Sequence, residues 1–224
     1  MIRPGTIKIC GLKEPEHAVA AAVGGADIIG FIFAPTRRYV DPQTARRAID
    51  AAKAAAGGNL LAVGVFVNSP VADMNAVAEE AGLDAIQLSG DEDPDDLQGV
   101  GRPLIKALRP PAGTSPDALL GEIERWNATH PPVTFLVDGF RPGHFGGSGT
   151  RTDWQLAAFL AAVHPIMLAG GLTPENVADA IGAVSPLGVD VSTGVEVEGR
   201  KDSAAIHAFI KQARSAFSPQ PEWR

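Results

Sequence analysis

The sequence predicts an α/β protein built as a single closed (β/α)8 TIM barrel, on three observations. Eight short apolar or β-branched runs recur along the chain. Ala-rich segments with helical spacing lie between them, and the helix starts repeat one punctuation, a polar residue followed by proline. Spread over 224 residues, eight units take 28 residues each, close to the roughly 30 of a βαβ repeat. A doubly wound open sheet is the runner-up. It wants G-x-G-x-x-G straight after its first strand, where this chain has Cys10-Gly11-Leu12-Lys13.

In order, the predicted strands are 7–10, 28–33, 61–67, 85–88, 104–107, 134–137, 166–169 and 189–191. Runs this short and continuous suit strands buried on both faces of a parallel sheet. Helical spacing is clearest over 45–56, 71–81 and 204–213. Six helices are predicted to open at Glu14-Pro15, Asp41-Pro42, Ser69-Pro70, Asp93-Pro94, Ser115-Pro116 and Thr173-Pro174, and two more at Asp153 and Asp202. All the leading residues except Glu14 are preferred N-caps, and proline at the first helical position lacks only an N–H that would go unpaired there. The whole of 1–224 reads as one domain, with short flexible ends at about 1–6 and 217–224.

Composition narrows the function. A 45% hydrophobic chain of this length buries one substantial core. The net charge of −7, with no basic stripe interleaved with aromatics, argues against a nucleic-acid partner. No run of about 18 apolar residues occurs, and the N-terminal Met1-Ile2-Arg3-Pro4 lacks the apolar segment of a secretory signal. A cytoplasmic protein without a membrane partner is expected. One cysteine forbids an intrachain disulfide, and no Cys/His cluster has metal-ligand spacing.

In a barrel the chemistry sits at the C-terminal strand ends, and side chains alternate between interior and helix layer. On strand one, Ile7 and Ile9 suit the helix layer, so Lys8 and Cys10 point inward. A lone cysteine is ordinarily a buried hydrophobe, but a strand-end thiol beside an inward cation that would lower its pKa is a candidate functional residue. Strand six ends in Asp138, which is either a turn cap or a functional strand-end carboxylate, and a glycine-rich loop carrying Gly146-Gly147-Ser148-Gly149 follows. After strand two come Arg37 and Arg38, suited to a carboxylate or phosphate; spacing does not choose between them. Gln87 is a polar pocket residue or a satisfied barrel amide. Asp190 shares parity with Ser192 and is either a ligand contact or the partner of an inward lysine. Lys106 is a Schiff-base candidate, although an ion-paired core lysine is the commoner case. The stretch 166–196 holds two strands ending in Gly170-Gly171 and Ser192-Thr193-Gly194, residues small enough to bring backbone amides against a phosphate.

Taken together, these motifs resemble the phosphoribosylanthranilate isomerase family. The matching pieces are KICGL at 8–12, GFIFAPTRRYV at 30–40, VGVFVN at 63–68, LDAIQLSGDE at 83–92, VDG at 137–139, FGGSG at 145–149 with TDW at 152–154, LAGGLTPENV at 168–177, and VDVSTGVE at 189–196 with KD at 201–202. They occur in order over nearly the whole chain. The resemblance implies an Amadori rearrangement of N-(5-phosphoribosyl)anthranilate in tryptophan biosynthesis, with no metal or organic cofactor. It implies that Cys10 is the general base, Asp138 the general acid, and Arg38 the binder of the substrate carboxylate. It also places the phosphate on the backbone of Gly147, Ser148, Gly149, Gly170, Gly171, Thr193 and Gly194, with Lys8, Gln87, Asp190 and Ser192 in support. The partner is a small phosphosugar, and the chain is expected to be a monomer or homodimer.

For that chemistry both groups would start in the wrong state, since carboxyls ordinarily titrate near 3.9 and thiols near 8.5. The expectation is therefore that the pocket or substrate raises Asp138, while Lys8 or the developing cation lowers Cys10. Departures from the family pattern are Ser89 where histidine is usual, Thr150-Arg151 where lysine follows the glycine loop, and Lys13 where threonine is common. The alternatives are another phosphosugar barrel enzyme, either an aldolase using Lys106 or an aminoaldose isomerase, and a non-catalytic phosphate-ligand binder.

Overall fold

A computed structural model describes residues 2–130, 132–140 and 151–218. Eight strands, β1 (Thr6–Ile9), β2 (Ile28–Ile32), β3 (Leu61–Phe66), β4 (Ala85–Leu88), β5 (Leu104–Leu108), β6 (Val133–Val137), β7 (Ile166–Leu168) and β8 (Gly188–Val191), pair in parallel in sequence order. The last pairs with the first, closing the barrel. Every predicted strand is present, with ends displaced by a residue or so.

The alternation of side chains builds two apolar layers. Ile28, Val63, Ile105, Ala107, Leu136, Met167 and Ala169 fill the interior. The opposite parity, including Ile7, Ile9, Ile29, Phe31, Leu104, Leu108, Phe135 and Val137, packs in the layer between sheet and helices. This parity also decides Lys106: it shares the outer side with Leu104 and Leu108. Its ammonium donates to Glu92 Oε2 at 2.7 Å and Gly90 O at 2.9 Å and lies 5.2 Å from the Trp126 ring centroid. Lys106 is thus an ion-paired core residue turned away from the barrel interior, which removes the geometric basis for an aldolase.

The helices are α1 (Pro15–Val23), α2 (Pro42–Ala55), α3 (Val71–Ala81), α4 (Pro116–Thr129), α5 (Trp154–Val163), α6 (Val177–Val184) and α7 (Ser203–Phe217). Asp41, Ser115, Asp153 and Asp202 cap as predicted, each accepting from a backbone N–H of the first turn. Three starts differ from expectation. Helix α3 has Pro70, not Ser69, at its cap. After β4 the chain makes only a four-residue 3₁₀ turn, Pro94–Leu97, with Asp93 accepting from Asp95 N–H. Helix α6 begins at Val177, not at Pro174, because Asn176 closes the intervening turn: its Oδ1 accepts from Thr173 N–H, and its Nδ2 donates to Gly171 O. The delayed start therefore ties down the glycine loop after β7.

Beyond β8, a 3₁₀ turn, Thr193–Val195, leads into a small antiparallel hairpin, β9 (Glu196–Val197) and β10 (Arg200–Lys201). Its two turn residues, Glu198 and Gly199, both have positive φ, 51° and 79°, as a type I′ hairpin demands. That turn sets Glu196 opposite Lys201. Of the predicted flexible end at 217–224, residues 219–224 lie outside the described residues, as do residues 141–150 with the Gly146–Gly149 stretch. No described helix is long and apolar enough to cross a membrane.

Candidate active site

Register puts the first buried charges side by side. Lys8 on β1 is the direct partner of Asp190 on β8, and Lys8 Nζ reaches Asp190 Oδ1 at 2.9 Å with the lysine fully buried. The lysine thus has the partner its buried charge requires. Cys10, immediately after β1, faces the same interior and is 5% exposed. Gly30 makes the room: a Cβ there would stand 2.9 Å from Cys10 Sγ and 3.3 Å from Lys8 Cε.

Electrostatics correct one expectation. Burial raises the Cys10 thiol above its ordinary pKa, and the nearby Asp190 charge adds to that; Lys8 and Lys201 pull it down without overcoming the burial. For Lys8, burial works against the charged form, but Asp190 and Cys10 prevail and the ammonium is held more firmly than in water. Burial therefore outweighs Lys8 at the thiol, and the lysine's own charge is matched by Asp190. Of the two activators considered, only the developing substrate cation remains.

Asp138 follows β6 across the mouth. Its N–H donates to Leu108 O at 3.0 Å, and its Oδ1 accepts from Gly139 N–H at 2.7 Å. Burial, then repulsion from Asp190, raises its pKa to about 6, against the pull of Gly139, Arg109 and Lys8. The expected upward shift is present in direction and cause. Gly170, at φ 82°, is backed onto this carboxyl: a Cβ would lie 2.5 Å from Gly139 N and 3.0 Å from Asp138 Oδ1 and would overlap Thr152 Oγ1.

Of the two arginines, Arg38 is the buried one, at 7% exposure, while half of the Arg37 side chain is exposed. Arg38 Nε donates to Glu196 Oε1 at 2.7 Å, and its Nη2 to Glu196 Oε2 at 3.2 Å and Thr193 Oγ1 at 2.9 Å. Gly11 lets it pass beside Cys10, since a Cβ at Gly11 would stand 2.8 Å from Arg38 Cδ and 2.9 Å from Ser192 Oγ. Lys201 Nζ donates to Ser192 O at 2.7 Å and reaches Glu196 Oε1 at 3.0 Å. Burial alone would raise the Glu196 carboxyl, but Arg38, Lys201 and Arg37 outweigh it and bring its pKa down to about 2.

A small cavity joins the two loops of interest: Gly170, Gly171, Ser192, Thr193 and Gly194 line it with Asp138 and Asp190. Gly170 and Gly171 both adopt positive φ, 82° and 64°, and a Cβ on Gly194 would overlap the Leu172 carbonyl. Only glycine fits these three places without strain. Gln87 and Ser89 face inward on the far side, Gln87 Nε2 donating to Ser89 Oγ at 3.1 Å; Gln87 Oε1 is buried without a partner among the described residues. Gly147, Ser148 and Gly149 fall outside the described residues. The structure thus brings Cys10, Lys8, Arg38, Asp138, Gly170, Gly171, Asp190, Ser192, Thr193 and Gly194 to one barrel mouth. Glu196, Lys201 and Arg109 were not singled out from the sequence. The signal for the first two was the Glu198-Gly199 turn, which sets them opposite each other. For Arg109 it was the parity shared with Ile105 and Ala107.

Comparison with known proteins identifies the family. A family model described as N-(5'-phosphoribosyl)anthranilate (PRA) isomerase matches residues 7–212. An N-(5'-phosphoribosyl)anthranilate isomerase of Roseiflexus castenholzii is 46% identical over 94% of this chain and 98% of its own. The solved phosphoribosylanthranilate isomerase of Thermotoga maritima superposes with a TM-score of 0.78 at 34% identity, covering 96% of this chain and 100% of its own. A phosphoribosylanthranilate isomerase solved in complex with reduced 1-(o-carboxyphenylamino)-1-deoxyribulose 5-phosphate gives 0.75 at 32% identity, with 96% and 100% covered.

Proposed function

This chain belongs to the N-(5'-phosphoribosyl)anthranilate isomerase family, and on that premise we propose that Cys10 and Asp138 divide the proton transfers of its reaction. The protein is an isomerase of tryptophan biosynthesis that converts N-(5-phosphoribosyl)anthranilate to 1-(2-carboxyphenylamino)-1-deoxyribulose 5-phosphate.

Asp138, protonated, gives its proton to the furanose oxygen as the C1–O bond breaks and the nitrogen lone pair forms the C1=N bond. The cationic Schiff base acidifies the C2 proton, which Cys10 as thiolate removes. The electrons of that C–H bond form the C1=C2 double bond and neutralise the nitrogen. The enolamine then tautomerises, with C1 gaining a proton and the C2 hydroxyl losing one, to give the ketone. Arg38 takes the anthranilate carboxylate, and the backbone of Gly170, Gly171, Thr193 and Gly194 takes the phosphate.

The observation that carries this assignment is the buried pair between the two groups. Burial and the Asp190 charge favour a proton on Asp138, the state the acid needs, while Lys8 opposes without overcoming the burial that raises Cys10, so the base ionises only as the substrate cation forms. The test is loss of substrate fluorescence on adding the protein to freshly made N-(5-phosphoribosyl)anthranilate. Turnover is expected, and its absence would overturn the assignment.

Two further outcomes bear on binding. Arg38→Ala is expected to raise KM at least about tenfold and leave kcat within about threefold, because it removes an interaction made before the chemistry; steady-state kinetics decides. Gly194→Ala forces a methyl against the Leu172 carbonyl. It is expected to weaken inorganic phosphate, measured as a competitive inhibitor, about tenfold by displacing the loop.

A further inference from the structure

Glu196 has no part in the proton transfers, yet it is the most heavily engaged carboxylate at the barrel mouth. Its side chain is 4% exposed and meets Arg37, Arg38 and Lys201. Three cations share one buried carboxylate, so this cluster by itself carries a surplus of positive charge on a chain whose total is −7. That surplus suits an anionic ligand. The geometry also restricts motion. Arg38 has several rotatable bonds, but Glu196 engages both its Nε and Nη2, and Thr193 Oγ1 accepts from the same Nη2. These contacts fix the plane and the depth of the guanidinium and tie it to the turn that begins at Thr193. The hairpin that carries Glu196 is held in turn, because Lys201 donates to both Ser192 O and Glu196.

We propose that Glu196 is a positioning residue that presets the Arg38 guanidinium for the carboxylate of the substrate, at a fixed place relative to the loop assigned to its phosphate. The inference rests on the role given to Arg38 above. Ordering the arginine in advance removes a cost that binding would otherwise carry, so the gain appears as affinity for ligands bearing that carboxylate. Glu196 does not touch the ligand; it acts through Arg38.

The test is titration of wild type, Glu196→Gln, Arg38→Ala and the double variant with two ligands: reduced 1-(o-carboxyphenylamino)-1-deoxyribulose 5-phosphate and the same compound without its ring carboxylate. Glu196→Gln is expected to raise Kd for the carboxylated ligand about tenfold, the scale of a lost charged hydrogen-bond partner. For the ligand without the carboxylate, Kd should stay within about threefold. In the Arg38→Ala background Glu196→Gln should add no further loss, since the two act in series. Equal loss for both ligands, additional loss without Arg38, or no loss would each overturn the proposal. An Arg38→Ala protein that binds both ligands as wild type does would instead overturn the role of Arg38 itself. Melting curves accompany each variant. Should Glu196→Gln not fold, Glu196→Asp carries the same comparison, and the same ligand-selective pattern is required of it.

Discussion

Cys10→Ala is expected to lower kcat at least about a hundredfold, the scale of a lost general base, with KM changed far less. The substitution removes one sulfur from a site where Gly30 already leaves space beside it, so the cost in stability should be no more than about 1–2 kcal/mol and the barrel should stay folded. Near-unchanged circular dichroism with a collapsed kcat is therefore the expected pair of observations. Near-full activity would remove Cys10 from the mechanism. The thiol is also the less prepared of the two groups. It is buried and raised in pKa, and the cation beside it is already committed to Asp190. Its activation has to come with the Schiff base, so a substrate that cannot open its ring should not produce thiolate absorbance near neutral pH.

Asp138→Asn is the second large effect, again at least about a hundredfold in kcat, since the amide cannot deliver a proton to the ring oxygen. The same substitution should make the protein more stable. The folded Asp138 pKa of about 6 lies above the unfolded value of about 3.9. A raised carboxyl favours folding below the unfolded pKa, and that contribution is lost as pH rises through about 6. At pH 8 the buried carboxylate is therefore a liability of up to about 3 kcal/mol. Chemical denaturation is expected to show Asp138→Asn more stable than wild type at pH 8, by up to that amount, with the gain gone at pH 4. Equal stability at both pH values would mean that Asp138 is not held in an environment hostile to its charge.

The architecture was legible because strand parity, helix caps and unit length all led to the same fold. Lys8, Cys10 and Asp138 could be aimed inward from parity alone, and the structure places them there. What sequence could not give was the balance of opposing terms at one atom. Proximity of Lys8 to Cys10 suggested a lowered thiol pKa, yet burial outweighs it and Asp190 neutralises the lysine, a partner fixed by the β1–β8 closure across 182 residues of chain. The choice between Arg37 and Arg38 likewise depended on a hairpin that sits opposite them only in three dimensions. Glu196 was missed because a carboxylate in a Val-Glu-Val-Glu-Gly turn reads as solvated surface, and only the tertiary fold buries it among three cations. The delayed start of α6 had a local cause, the Asn176 side chain, which competes with the Thr173-Pro174 signal.

The division of labour between acid and base is tested most directly by the pH dependence of kcat/KM in wild type and Asp138→Asn. The acid must be protonated and the base ionised, while their free-protein pKa values lie in the opposite order, about 6 for Asp138 and above the ordinary thiol range for Cys10. The active fraction then rises with pH to a break near 6, stays level, and falls once Cys10 itself titrates. In Asp138→Asn the acid break should vanish, leaving a residual rate that climbs with pH until the thiol is ionised. An acid limb that breaks at the same pH in the variant, or a wild-type profile with no break near 6, would contradict the assignment of Asp138.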